Sequence, residues 1–189
     1  EHTMAFTAMD VKALREKTGV GMMECKKALT EADGDMDKAI DFLRERGLAA
    51  AEKKSARIAA EGVVYTYYDE AAKKAVTVEV NSETDFVAKN DKFMDFVKGV
   101  ARTIIATAPA DVEALCATGF DGTDRTVTET LNDLILSIGE NMKIRRFEVM
   151  DGVVATYIHA GGSVGVMVGF DVADESKAAT DEFKVMGKD

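Results

Sequence analysis

The sequence predicts an α+β fold: a three-helix N-terminal module, a helical linker, and an antiparallel sheet packed with helices. Three observations predict it. Apolar residues recur at helical spacing through the first fifty positions; the period then changes to the two-residue alternation of strands in VVYTYY and AVTVEV; and three further strand-like runs close the chain after two amphipathic helices. The order strand, strand, helices, strand, strand, strand is that of an antiparallel sheet covered by helices. The domains expected are 4–47, the three-helix module; 48–61, the linker; and 62–189, the α+β core.

In the module, Thr7 with Asp10 approximates a capping box ahead of DVKALREK, and Thr18-Gly19 ends that helix. The second helix runs through MMECKKALTEA with Met22, Cys25, Leu29 and Ala32 on one face, and ends at Asp33-Gly34. The third opens after Asp35, aligns Met36, Ile40 and Leu43, and is expected to stop at Gly47. Helices this short are marginal alone and must pack on one another. The run AAAEKKSARIAAEG, Ala-rich and charged, reads as an exposed helical linker. A module bounded in this way should be a separable docking element.

DEAAKK joins the first two strands as a hairpin connection. Phe93, Phe96, Val97, Val100 and Ile104 then fall at i, i+3, i+4, i+7 and i+11, in a helix capped by Asn90 and stopped by Pro109, the only proline. Thr126 and Glu129 form a second capping-box pattern ahead of Val127, Leu131, Leu134, Ile135 and Ile138, with Gly139 as the stop. KIRRFEVM, VVATYIHA and VGVMVGFDV supply the last three strands.

Composition narrows the function. With 47% hydrophobic and 31% charged residues this is an ordinary globular chain. A net charge of −10 argues against direct nucleic-acid binding, which uses a basic patch. No apolar run is long enough for a membrane span, and nothing resembles a secretory leader, so no membrane partner is expected. Cys25 and Cys116, far apart, suit free thiols in a reducing cytoplasm. The tripeptide EHT before Met4 reads as residues left by an expression vector, which sets His2 aside and leaves His159.

Catalytic chemistry finds little to hold, and the expectation is a protein that is not an enzyme, with no metal, no cofactor and no small-molecule substrate. One histidine and two distant cysteines cannot build a zinc site. Asp33, Asp35 and Asp37 imitate the start of a calcium loop, but Lys38 stands where glycine is needed and Arg44 where the bidentate glutamate belongs. No phosphate-binding G-x-x-x-x-G-K-[ST] loop occurs. HAGGSVG joins two strands and reads as a tight turn.

Surplus apolar residues in loops are more informative. Met22 and Met23 are adjacent, so at ~100° per residue both cannot face one small core. A methionine left at the surface suits an adaptable protein contact. In EVNSETDFVAKND, Phe86 sits in a polar turn between strand and helix. It either covers the end of the sheet or points outward at a partner.

LREKTGVGMMECKKAL (14–29) and EVNSETDFVAKN (79–90) resemble signature segments of bacterial and organellar elongation factor Ts, and IGENMKIRRFE (138–148) is similar to the same family. The resemblance runs from about Met9 to Val172. It implies a guanine-nucleotide exchange factor for the GTPase elongation factor Tu, located in the cytoplasm. It also implies a ubiquitin-associated-like N-terminal module and a core of the dimerisation type. It places Thr84, Asp85, Phe86 and Val87 at the partner's magnesium and phosphate site, with Phe86 as an outward wedge. Arg15, Met22 and Met23 would form an N-terminal contact, and Ile138, Gly139 and His159 further contacts. Family members continue past VGVMVGFDV, so the resemblance implies a C-terminally shortened chain, reaching VMGKD inside a helix that opens near Asp174 or Asp181. A ubiquitin-associated-like binding adaptor without exchange activity is the alternative; it leaves the sheet domain and the TDFV loop without a role.

Overall fold

The computed structural model describes residues 5–187; His2 and the rest of the EHT tripeptide lie outside them. The fold is α+β, with N-terminal helices followed by antiparallel sheets packed with helices. By their contacts the residues form two compact units, 1–58 with 128–141, and 59–127 with 142–189.

In the first unit, α1 (Ala8–Thr18) is opened by a complete capping box between Thr7 and Asp10 and closed by Gly19 at φ 71°, whose N–H reaches the Arg15 carbonyl at 2.8 Å. α2 (Met22–Glu31) gives way to a turn that ends at Gly34. There φ is 82° and a Cβ would stand 2.5 Å from the Ala5 carbonyl oxygen, so only glycine fits. α3 (Met36–Lys54) starts at Asp35, whose Oδ1 accepts from the N–H groups of Asp37 and Lys38 at 3.0 Å. Leu14, Val20, Cys25, Ala28, Leu29, Ala39 and Leu43 are fully buried between the three helices.

Two expectations are corrected here. Helix α3 does not stop at Gly47 but continues to Lys54. Gly47 is buried inside it, because a Cβ would come within 3.2 Å of Asp133 Oδ1 and 3.3 Å of the Asn132 carbonyl carbon. This glycine permits close approach of α6 (Val127–Ile138) and is no terminator. Consequently the stretch 48–61 is helical only to Lys54, followed by a turn in which Arg57 N–H meets Lys54 O at 2.9 Å. Residues 128–141, assigned by the sequence reading to the domain 62–189, group by their contacts with 1–58. Leu136 packs on the three-helix core, Arg44 Nε pairs with Glu129 at 2.7 Å, and Asn141 Nδ2 donates to the Arg57 carbonyl at 2.7 Å. The three helices therefore share their core with a fourth.

In the second unit, β1 (Glu61–Asp69), β2 (Lys74–Ser82) and β3 (Met142–Asp151) form an antiparallel sheet with β2 central. Asp69 Oδ1 holds the β1–β2 turn by accepting from Ala71 and Ala72 N–H at 2.9 Å. Helix α4 (Asp91–Thr107) packs on β1 and β2, and all five residues of its predicted apolar face are buried. A short α5 (Val112–Ala117), capped by Asp111 and burying Leu115, was not expected. One turn and a half offers too few apolar positions for a period to register.

The last two strands, β4 (Val153–His159) and β5 (Val164–Phe170), pair only with each other as a second antiparallel sheet. Gly152, at φ 99° between β3 and β4, turns the chain out of the first sheet. Residues 160–163 make the predicted tight turn, and the Gly162 carbonyl accepts from Val64 N–H at 2.6 Å. A 3₁₀ segment (Glu175–Ala179) and α7 (Asp181–Met186) follow, with Phe183 edge-on to Phe170 at 5.0 Å.

Candidate functional site

The turn between β2 and α4 is fixed at both ends. The Ser82 hydroxyl is fully buried and donates to the Thr84 carbonyl at 2.9 Å. A 3₁₀ turn over Val87–Lys89 follows, in which Lys89 N–H donates to the Phe86 carbonyl at 3.1 Å. Asn90 Oδ1 then accepts from Lys92 and Phe93 N–H at 3.0 and 3.3 Å and opens α4. Val87 is buried and Thr84 half-buried, whereas Asp85 is exposed and Phe86 is 78% exposed. Phe86 has unstrained αR backbone angles. Of the two readings open at the sequence level, the ring covering the sheet end is excluded, because Phe86 is exposed and its neighbour Val87 is the buried apolar residue of the turn. The result is a large apolar side chain beside a carboxylate, held out by a loop whose flanks are anchored. Leaving a phenylalanine in water forgoes about 1.5–3 kcal/mol available from its burial.

His159 belongs to the same compact unit. It is exposed at the end of β4, its Nδ1 lies 3.2 Å from the Tyr157 hydroxyl, and the two ring centroids are 5.9 Å apart. Around it lies a surface that sequence reasoning did not single out. Val164, Val166 and Val168 alternate along β5 and are each more than 40% exposed, as is Tyr157 of β4. The strict alternation in VGVMVG was the available signal: valine at every second position marks one face.

The remaining predicted residues lie in the first unit. Arg15 is exposed on α1. Met22 and Met23 are 53% and 67% exposed at the start of α2, so Met22 does not join the core face expected of it. The face is carried by Cys25, Ala28 and Leu29, and Met22, directly after Gly21, stands one turn short of it. Ile138 is half-buried at the end of α6, and Gly139 is exposed at φ 88° with its N–H on the Ile135 carbonyl. The structure thus gathers Arg15, Met22, Met23, Ile138 and Gly139 into one unit, and Thr84–Val87 and His159 into the other.

Electrostatics are organised around Glu79 on β2. Burial alone pushes its carboxyl up, but hydrogen bonds from Asn81 Nδ2 at 3.1 Å and Arg146 Nε at 2.8 Å outweigh that. With the charges of Arg146 and Arg145 they hold it below the usual glutamate range. This is a structural pin across β2 and β3. Among the described residues no group of three or more His, Cys, Asp or Glu is arranged to hold a metal ion. No helix among them is long and apolar enough to cross a membrane. A cavity of about 370 Å³, lined in part by Tyr68, Val154, Ala155, Glu175, Ala179 and Phe183, contains no histidine or cysteine.

Comparison with known proteins places these features in a family context. Residues 83–183 match the family model described as elongation factor TS. The chain is 56% identical over 164 residues to elongation factor Ts of Clostridium perfringens (strain SM101), covering 85% of this chain and 54% of that protein. It is 49% identical over 190 residues to elongation factor Ts of Trichlorobacter lovleyi, covering 98% and 61% of the two chains. With the same factor of Magnetococcus marinus the identity is 50% over 188 residues, covering 98% and 60%. The chain therefore spans between about half and three-fifths of the length of the curated relatives it matches.

Proposed function

We propose, from the premise that the chain belongs to the elongation factor Ts family, that it is a guanine-nucleotide exchange factor acting on elongation factor Tu. The observation that carries this reading is Phe86, 78% exposed on a turn anchored at Ser82 and Asn90. A translational GTPase holds its nucleotide through backbone N–H groups, a lysine and a magnesium ion that bridges phosphate oxygens. Magnesium demands near-ideal octahedral geometry, so small displacements around it weaken nucleotide binding steeply. Phe86, driven between elements of the partner with Thr84, Asp85 and Val87 behind it, supplies such a displacement without chemistry. Factor and nucleotide are then negatively coupled ligands, each weakening the other by the same factor. No catalytic residue is required of the factor.

Arg15, Met22 and Met23 serve as a docking contact, since a methionine pair is deformable and gains from burial. Ile138, Gly139 and His159 extend the contact. The direct experiment follows release of labelled GDP from elongation factor Tu with and without the chain, paired with calorimetric titration of the empty and GDP-loaded GTPase. Accelerated release and tighter binding to the empty form are expected. Equal affinity for both forms would sink the exchange-factor reading.

A further inference from the structure

We propose that Tyr157 is a positioning residue for His159: its hydroxyl donates to Nδ1 and holds the imidazole as the Nε2–H tautomer. That N–H is then presented to an acceptor oxygen on the GTPase partner. The proposal rests on the reading of His159 as a partner contact. Tyr157 and His159 are two apart on β4 and so share one face, with the hydroxyl oxygen 3.2 Å from Nδ1. In the strand register Tyr157 stands opposite Val166 and His159 opposite Val164. The facing strand therefore offers the imidazole only aliphatic neighbours, and the phenol is the polar group that reaches it.

The direction of the bond follows from chemistry. A neutral imidazole has one N–H and one acceptor nitrogen. Its unprotonated nitrogen is a better acceptor than a phenol oxygen, whose lone pair is delocalised into the ring. Nδ1 thus accepts, and the proton resides on Nε2. Holding an exposed ring in one tautomer and one orientation before contact lowers the ordering cost of binding.

The test uses the full chain labelled with ¹⁵N-histidine, in mildly alkaline solution, with His159→Ala assigning the signals. An Nδ1 resonance of the pyridine type is expected, moving toward a mixed tautomer in Tyr157→Phe. The same substitution should weaken binding to nucleotide-free elongation factor Tu by about two- to tenfold, the range of one hydrogen bond. In the His159→Ala background it should have no further effect. Tyr157→Phe removes only a hydroxyl from a residue 42% exposed, and an unchanged melting curve verifies that the fold is intact. A pyrrole-type Nδ1 in the unaltered chain, or a histidine pattern indifferent to Tyr157→Phe, overturns the tautomer assignment. A binding loss that persists without His159 overturns positioning in favour of a direct Tyr157 contact. If His159→Ala binds at full strength, the contact reading of His159 fails and the positioning role with it. The nitrogen shifts still decide the tautomer, so the two failures are distinguishable.

Discussion

Replacing Phe86 by alanine separates a side chain used for a partner from one used for the fold, because the structure supplies an internal control. Phe86 is 78% exposed, whereas Phe93, seven residues on in α4, is fully buried. Complete burial of a phenylalanine contributes about 1.5–3 kcal/mol, so the covered fifth of Phe86 contributes about 0.3–0.6 kcal/mol. At roughly 2–4 °C per kcal/mol for a chain of this size, Phe86→Ala should lower the melting temperature by no more than about 2 °C. Phe93→Ala leaves a cavity and should cost about 3–5 kcal/mol, a fall of roughly 6–20 °C. The order reverses in exchange. Loss of an aromatic anchor costs about 2 kcal/mol or more at an interface, which is a factor of roughly thirty in complex formation. Melting curves and GDP-release rates from elongation factor Tu, measured on the same preparations of both variants, give the comparison. If Phe86→Ala melts as early as Phe93→Ala, its ring belongs to the core and the reasoning from exposure is wrong. If it melts normally and exchanges normally, Phe86 is not the group that disturbs the nucleotide site.

Four further outcomes are expected. Gly62→Ala should destabilise by at least about 2 kcal/mol, readable in urea unfolding, because φ is +122° and a Cβ would lie 2.1 Å from the Val80 carbonyl oxygen; a neutral result would contradict that approach of β1 to β2. Glu79 is held below its ordinary value of 4.5 in the fold, so its contribution is complete above that value and declines as pH falls through the lowered one. Glu79→Gln should therefore melt below the unaltered chain at neutral pH, with the gap closing under acid; a gap independent of pH would remove the ionic pin. Deletion through Gly47 should destabilise what remains, since Leu136 and Glu129 lose their partners in Leu43's core and Arg44. Met22→Ala with Met23→Ala should preserve the melting curve and raise the factor concentration needed for half-maximal exchange; unfolding of the double variant would place these methionines in the core.

Periodicity read the long elements well because their burial is one-sided. The face from Phe93 to Ile104 and the alternation of β2 are direct consequences of one apolar layer between sheet and helix. Local capping chemistry was equally legible at Thr7, Asn90 and Gly19. What eluded the sequence was context. Gly47 carries the same letter whether it terminates a helix or admits a neighbour, and only the nearness of Asn132 decides. The division of five strands between two sheets falls at Gly152, between β3 and β4, and no hydrophobic pattern records it. At the candidate site, Phe86 left both orientations open, and only its exposure in the folded chain resolves them. The Tyr157–His159 pair was hidden because an i, i+2 spacing in a strand signals a shared face but not a hydrogen bond.

The recruitment of 128–141 into the first compact unit bears on how the chain is made. Synthesis is vectorial, and the ribosome releases the three N-terminal helices long before the segment that completes their core. Residues 59–127 intervene, which at ~5–20 residues per second is roughly 3–14 s of waiting. During that interval the surface later covered by Leu136 is open to water or to a chaperone. The intervening β1, β2 and α4 also emerge before β3, so the second unit is begun before the first is finished and is completed after it. A polypeptide threaded in this way closes its first core when α6 leaves the exit tunnel, while the second still waits for β3, β4 and β5.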